Sequence, residues 1–320
     1  MNNLIQIEKL KIYYRTLHGD AKALDDVSFT INDKEIVGIA GESGCGKSTL
    51  GNSLILLKPP MKYVGGEIKI NGDRLPIDNT KEMRKYRYKT VSLIPQYAMD
   101  ALNPTRKIGG IIKDLIGQHR IKYEEIEGRL YERLNMVKLS KEVLNMYPFE
   151  LSGGMKQRVV LVISTLLNPD LLIADEVTSA LDVSSQKAVS LMFKDFRDKG
   201  IVNSIIFITH DIAVLHQIAD KIVIMYAGKV AEIGNTEEII KEPLHPYTKA
   251  LIKSLPNAGI RHTKEKLEGI PGHPPNLINP PEGCRFKDRC PLADESCVEE
   301  PPLQEIKEGR FVACWKVKDL

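Results

Sequence analysis

Eight consecutive residues, Gly41-Glu-Ser-Gly-Cys-Gly-Lys-Ser48, fit the spacing G-x-x-x-x-G-K-[ST]. Glycines let backbone N–H groups converge on phosphates at a helix N-terminus. Lys47 adds a cation for the β and γ phosphates, and Ser48 offers a hydroxyl to Mg2+. Downstream, Leu171-Leu-Ile-Ala-Asp175-Glu176 sets two carboxylates at the end of an apolar run, where unpaired charge is costly unless a cation or substrate meets it. Asp175 is placed to hold the Mg2+ shell. Glu176 is placed to polarise an attacking water, the role that phosphoryl transfer to water requires. His210 follows the apolar run 204–209, at a strand end where α/β proteins bind ligands, and Gln96 follows Ile94-Pro95. Taken alone, each also fits a structural histidine or an ordinary loop amide.

These side chains need a scaffold. Short β-branched runs at 35–40, 90–94, 171–174 and 204–209 alternate with helix-like stretches, which predicts an α/β fold with a largely parallel sheet between helices. The phosphate-binding motif then falls between a strand and a helix starting at Lys47, its proper context. Residues 97–150 carry helical periodicity, with Ile111, Ile112, Leu115 and Ile116 on one face and Leu130, Leu134 and Val137 following. That segment reads as a helical insertion. Eleven of the 18 prolines lie between 243 and 302, so a core domain of 1–235 and a Pro-rich C-terminal extension of 236–320 are expected.

At 320 residues, with 42% hydrophobic and 27% charged, the chain has the makings of a large core. Lys plus Arg number 45 against 42 Asp plus Glu, a net charge of +3, which does not advertise nucleic acid as a partner. No apolar run approaches the roughly 18 residues of a spanning helix. Residues 1–10 carry charge where a signal peptide is apolar, so a cytoplasmic chain without disulfides is expected. Of five cysteines, Cys45 lies in the phosphate loop near Lys47 and a helix N-terminus, features that favour thiolate, with a small residue filling a loop position as the equal alternative. Cys284, Cys290, Cys297 and Cys314 crowd together near the end. Four such thiols read as metal ligands, yet they lack the close pairs typical of structural Zn2+. Their spacing favours a 4Fe-4S cluster, with Zn2+ or unmetallated thiols as the alternatives, and Pro291 echoes the Cys-Pro of ferredoxin cluster runs.

Leu151-Ser-Gly-Gly-Met-Lys-Gln-Arg158 adds a second glycine-bearing helix start. One chain needs a single phosphate site for its own nucleotide, so the second implies pairing with another subunit. With Gln96 before it, then Asp175-Glu176, Ser179-Ala-Leu-Asp182 and His210 after it, residues 4–235 resemble the ATP-binding cassette (ABC) ATPases. The resemblance implies that Tyr14 stacks on adenine, with Tyr13 the neighbouring candidate. It implies that Gly41, Glu42, Ser43, Gly44, Cys45, Gly46, Lys47, Ser48 and Thr49 form the phosphate loop. Gln96 would touch Mg2+ and water, Asp175 would be the metal carboxylate, Glu176 the catalytic base and His210 the γ-phosphate sensor. Ser152, Gly153 and Gly154 would close over ATP held by the opposite subunit. Val177 stands where the family usually has proline, which bears on loop rigidity more than on chemistry.

The tail is similar to the extension of dipeptide and oligopeptide ABC importers, through His245-Pro-Tyr-Thr-Lys-Ala-Leu-Ile-Lys-Ser-Leu-Pro256, Ile270-Pro-Gly272, Pro280-Pro281 and Gly283-Cys-Arg-Phe-Lys-Asp-Arg-Cys290. That resemblance also points to a 4Fe-4S cluster on the four cysteines. It implies ATP hydrolysis driving peptide import at the cytoplasmic membrane face, with two transmembrane permease subunits docked near 97–148 and an extracytoplasmic peptide-binding protein beyond. Met155 resembles the D-type subunit more than its F-type companion, which more often has Gln there. A heterodimer with an F-type ATPase subunit is therefore implied, a homodimer being open for the isolated chain. Import of nickel or another solute, a soluble ABC ATPase acting on DNA or ribosomes, and a non-catalytic nucleotide-binding module are the competing readings. The last two sit poorly with the lack of coiled-coil inserts and with the presence of Glu176 and His210.

Overall fold

The computed structural model describes residues 3–98, 102–179, 182–254 and 269–319. Two long strands, β1 (Asn3–Thr16) and β2 (Gly19–Asn32), precede the short apolar β3 (Ile36–Ala40), which delivers the chain to α1 (Lys47–Ser53). Next come β4 (Met61–Ile70), β5 (Asp73–Arg74), α2 (Thr80–Met83) and β6 (Val91–Ile94). The helical segment supplies α3 (Ile108–Gln118) and α4 (Tyr123–Met136), and α5 (Gly153–Thr165) leads back to β7 (Leu171–Asp175). Then α6 (Val183–Asp198), β8 (Ser204–Ile208), α7 (Ile212–Ile218), β9 (Lys221–Tyr226) and β10 (Lys229–Asn235) complete the core. The extension contributes α8 (Thr236–Lys241), α9 (Pro246–Lys253), β11 (Gln304–Lys307) and β12 (Arg310–Val312).

The strands make two sheets. One is antiparallel, ordered β2-β1-β4-β5, and the other has eight strands in the order β11-β12-β10-β9-β3-β8-β7-β6. From β6 to β9 the larger sheet is parallel. Every residue of β3, β7 and β8 is buried, the mark of parallel strands covered on both faces. Alternate side chains then serve two cores. Val37, Ile39, Leu171, Ile173, Ile206 and Ile208 face the antiparallel sheet, whereas Ile36, Leu172, Ala174, Ile205 and Phe207 pack with the helices. The antiparallel sheet was not anticipated from sequence. The helical insertion agrees with expectation: Ile112, Leu115 and Ile116 of α3 and Leu130 and Leu134 of α4 are buried, while Ile111 is only partly so.

The large sheet crosses the boundary expected at 235. β12 pairs with β10 through Glu232↔Val312 and Ile233↔Phe311, and Arg310, 2% exposed, donates to the fully buried Glu232 at 2.5 Å. Glu232 also accepts the backbone N–H of Leu244 and of His245, at 2.9 and 3.0 Å. One buried carboxylate thus fastens both the start of the His-Pro-Tyr segment and the last strand. Residues 255 and 256, the end of that segment, lie outside the described residues, as do Ala180 and Leu181 of the Ser179–Asp182 motif. Among the described residues no helix is long and apolar enough to cross a membrane.

Removing Arg310 leaves a buried charge uncompensated. Arg310→Ala should cost about 3–5 kcal/mol, read as a lower urea midpoint; an unchanged midpoint would show that the pair does not hold the extension. His245 gives a pH-dependent counterpart. It is buried, its Nδ1 accepts the Tyr247 N–H at 3.0 Å, and burial lowers its pKa from 6.5 to about 4 against the opposing pull of a hydrogen bond to the Ala313 backbone. The folded value lies below the unfolded one, so the stability from neutral His245 is complete above pH 6.5 and is lost as pH falls through 4. The loss amounts to about 3 kcal/mol. Denaturation of wild type and His245→Asn across that window should show a shallower slope for the variant, and parallel profiles would contradict the buried neutral ring.

Candidate functional site

The phosphate motif leaves the buried end of β3 and enters α1, and its backbone shape requires glycine at two places. Gly41 has φ +147°, and a Cβ there would lie 2.1 Å from the Met225 carbonyl oxygen; Gly46 has φ +108°, with 2.3 Å to that of Ala23. No larger residue fits either turn. Lys47 is 5% exposed, and its Nζ donates to the carbonyls of Gly41 at 2.8 Å and Glu42 at 3.0 Å. Ser43 and Gly44 are exposed at the tip of the loop.

Of the two roles expected for Cys45, the structure shows the small filling residue. It is 3% exposed and belongs to the core between the two sheets. Burial raises its pKa despite the pull of Lys47. The thiol therefore packs as a small apolar group and is not a poised thiolate.

Three neighbouring strand ends bring the remaining polar groups to this loop. At the end of β7, Asp175 is 2% exposed and accepts from Ser48 Oγ at 3.0 Å. Burial raises its pKa to about 6; the Ser48 hydrogen bond opposes the shift, Glu176 adds to it and Lys47 opposes it. A buried carboxylate that resists ionisation, beside a hydroxyl, suits a hard divalent cation, which would restore its charge. The oxygens of Ser48 and Asp175 thus fit Mg2+. Glu176 has φ +48° and its N–H donates to the Ile208 carbonyl at 2.9 Å. Its Oε2 accepts from Gln96 Nε2 at 3.0 Å, beyond β6. Its Oε1 stands 3.6 Å from His210 Nδ1, beyond β8, and His210 is 63% exposed.

Tyr14 reaches the same place from the antiparallel sheet, its hydroxyl 3.2 Å from Thr49 Oγ1. Tyr13 is turned elsewhere and donates to Asp25 at 2.7 Å. The signature is arranged differently. Ser152 caps α5 by accepting the Met155 N–H at 3.3 Å, and Ser152, Gly153 and Gly154 are all exposed. Among the described residues these three make no hydrogen bond to residues 41–49, whereas Gln157 of the same helix donates to the Val177 carbonyl, just past Glu176.

The four extension cysteines are free thiols, and Cys297 and Cys314 are buried. Cys284 N–H donates to the Cys297 carbonyl at 3.0 Å. Burial pushes the Cys284 thiol up to about 11, and Cys297, Cys314 and Cys290 add to the shift. The backbone N–H of Lys316 donates to the sulfur of Cys314 at 3.4 Å. Among the described residues, however, no three His, Cys, Asp or Glu side chains are gathered as a metal site.

Sequence reasoning missed Arg285 and Arg289. Arg285 donates to Asp25 and to the Ala227 carbonyl. Arg289 holds the Glu42 carboxylate at 2.6 and 2.9 Å. The only signal was their position between Cys284 and Cys290, which says nothing about a partner so far away in sequence.

Residues 24–179 match the ABC transporter family, and residues 231–297 match the C-terminal region of oligopeptide/dipeptide transporters. The chain is 41% identical, over 98% of its length and 97% of the relative, to the dipeptide transport ATP-binding protein DppD of Caldanaerobacter subterraneus subsp. tengcongensis. It is 39% identical, over 98% of its length and 89% of the relative, to the oligopeptide transport ATP-binding protein OppD of Bacillus subtilis. An ATP-binding cassette solved as a post-hydrolysis dimer bound to ADP and Pi resembles it with a TM-score of 0.63 at 27% identity, covering 72% of this chain and 98% of that one. With likeness at this level running from end to end, the chain belongs to the ABC transporter ATPases that carry the oligopeptide/dipeptide transporter C-terminal region.

Proposed function

We propose that this ATPase energises the import of dipeptides or oligopeptides, as a peripheral subunit at the cytoplasmic membrane face. The observation that carries the reading is the grouping of Lys47, Ser48, Asp175, Glu176, Gln96 and His210 around one loop, in a chain whose tail matches the peptide-transporter region. The loop N–H groups and Lys47 bind the β and γ phosphates. Ser48 and Asp175 would hold Mg2+, which would supply neutralisation of charge on the transferring phosphoryl group, with Gln96 as a further ligand. Glu176 takes the proton of the attacking water, while Gln96 and His210 fix its carboxylate and sense the γ-phosphate. Tyr14 stacks on adenine.

The exposed Ser152–Gly154 face completes the site of a second subunit, an F-type companion in the working transporter. Two permease subunits dock on the helical segment, where Tyr97 and Phe149 are exposed, and an extracytoplasmic peptide-binding protein supplies the solute. ATPase activity that rises when permease subunits are added supports coupling; indifference to them speaks for a soluble ATPase.

Cys284, Cys290, Cys297 and Cys314 would hold a 4Fe-4S cluster in this reading. Four soft thiolate donors suit iron–sulfur or Zn2+, and the Lys316 N–H on the Cys314 sulfur suits a sulfur-ligated group. Its role would be to fasten a tail rich in proline.

Glu176→Gln should keep ATP binding and lower phosphate release at least about 100-fold, the usual contribution of a general base. Near wild-type turnover with the companion subunit present removes Glu176 from the mechanism. Anaerobically purified protein should be brown, with about four irons per chain, and Cys290→Ser should lose the colour. Stoichiometric Zn2+ without iron would decide for zinc.

A further inference from the structure

We propose that the extension is part of the nucleotide site itself, Arg289 and Tyr247 acting as positioning residues that set the phosphate loop through Glu42. The inference rests on reading residues 41–49 as the nucleotide loop. It adds that the loop is not self-sufficient.

All the polar groups of Glu42 are engaged. Its backbone N–H donates to the Tyr247 hydroxyl at 2.8 Å. Its carboxylate takes both terminal nitrogens of Arg289, at 2.6 and 2.9 Å. Its carbonyl accepts from Lys47 at 3.0 Å. The first two partners belong to the extension, and the third is the cation that meets phosphate. A shift of Glu42 therefore moves a carbonyl that holds Lys47.

Neither partner is free to wander. Tyr247 is fully buried, with ring centroids 4.5 Å from Tyr226 and 5.4 Å from Phe286, so its hydroxyl has one place to be. The Arg289 side chain is 5% exposed. It also donates to the carbonyls of Pro271 at 2.7 Å and Ile270 at 3.2 Å and to the Tyr226 hydroxyl at 3.1 Å. The Ile270-Pro-Gly272 motif thereby acquires a purpose, because its carbonyls aim the guanidinium. Gly272 has φ +74°, and a Cβ there would lie 3.4 Å from Arg289 Cγ. A planar fork on a carboxylate constrains orientation as well as distance, which an ammonium cannot reproduce.

The test is calorimetric titration of the full chain with MgADP, which separates binding from hydrolysis. Arg289→Ala should weaken binding about tenfold and Arg289→Lys should recover only part of it, the fork being lost. Glu42→Ala should weaken binding similarly, and the double variant should be no weaker than the weaker single one, since both remove the same contact. Thermal melting of each variant gives the comparison: a lower melting temperature with unchanged MgADP affinity would assign Arg289 to tail packing alone and overturn the proposal, as would additive losses in the double variant. Lys47→Ala is the control for the underlying reading. If it binds MgADP like wild type, the nucleotide loop is misassigned; if it fails to bind while Arg289→Ala binds normally, only the positioning role falls.

Discussion

A lysine ammonium buried among backbone carbonyls is the constraint around which the rest is arranged. Lys47 is 5% exposed, and burying an ammonium is expensive unless its protons are satisfied. Gly41 and Glu42 supply the oxygens, but only while the loop doubles back on itself. That shape demands that backbone from β9 and β2 come within contact of two glycines. Both sheets are thus required to house one cation, and the core between them, which includes Cys45, holds the loop from beneath.

Asp175 and Glu176 show how adjacent carboxylates acquire different tasks. Asp175 ends a strand buried on both faces and is held beside Ser48. Glu176 takes a left-handed conformation, which costs a non-glycine residue on the order of 1–3 kcal/mol. The kink turns its side chain out of the strand's alternation towards Gln96 and His210. Strain at this one residue separates a buried oxygen beside Ser48 from one turned towards Gln96 and His210.

What the sequence revealed follows the range of the forces involved. The phosphate loop was legible because its chemistry fixes residue types at fixed short spacings, and β3, β7 and β8 because strands covered on both faces read as unbroken apolar runs. The antiparallel sheet was hidden: β1 mixes charged with apolar residues, and register shifts interrupt its pairing with both neighbours, so no clean alternation survives. Proline in the tail concealed β11 and β12, which are only four and three residues long. Local charge suggested a reactive Cys45, whereas the deciding fact is the packing of a second sheet. Arg289 and Glu42 could not be matched at all, since no periodicity links residues 247 positions apart.

That separation has a temporal meaning. At the usual ribosomal rate of about 5–20 residues per second, roughly 10 to 50 seconds pass between synthesis of Glu42 and synthesis of Arg289. Throughout this interval the nascent chain displays the complete Gly41–Ser48 motif without the guanidinium that fastens it. A polypeptide ending just past His210 would carry Lys47, Ser48, Asp175 and Glu176 without the guanidinium that grips Glu42. The contact that fixes the orientation of Glu42 is thus among the later ones the growing chain can make, long after the loop it grips has been synthesised.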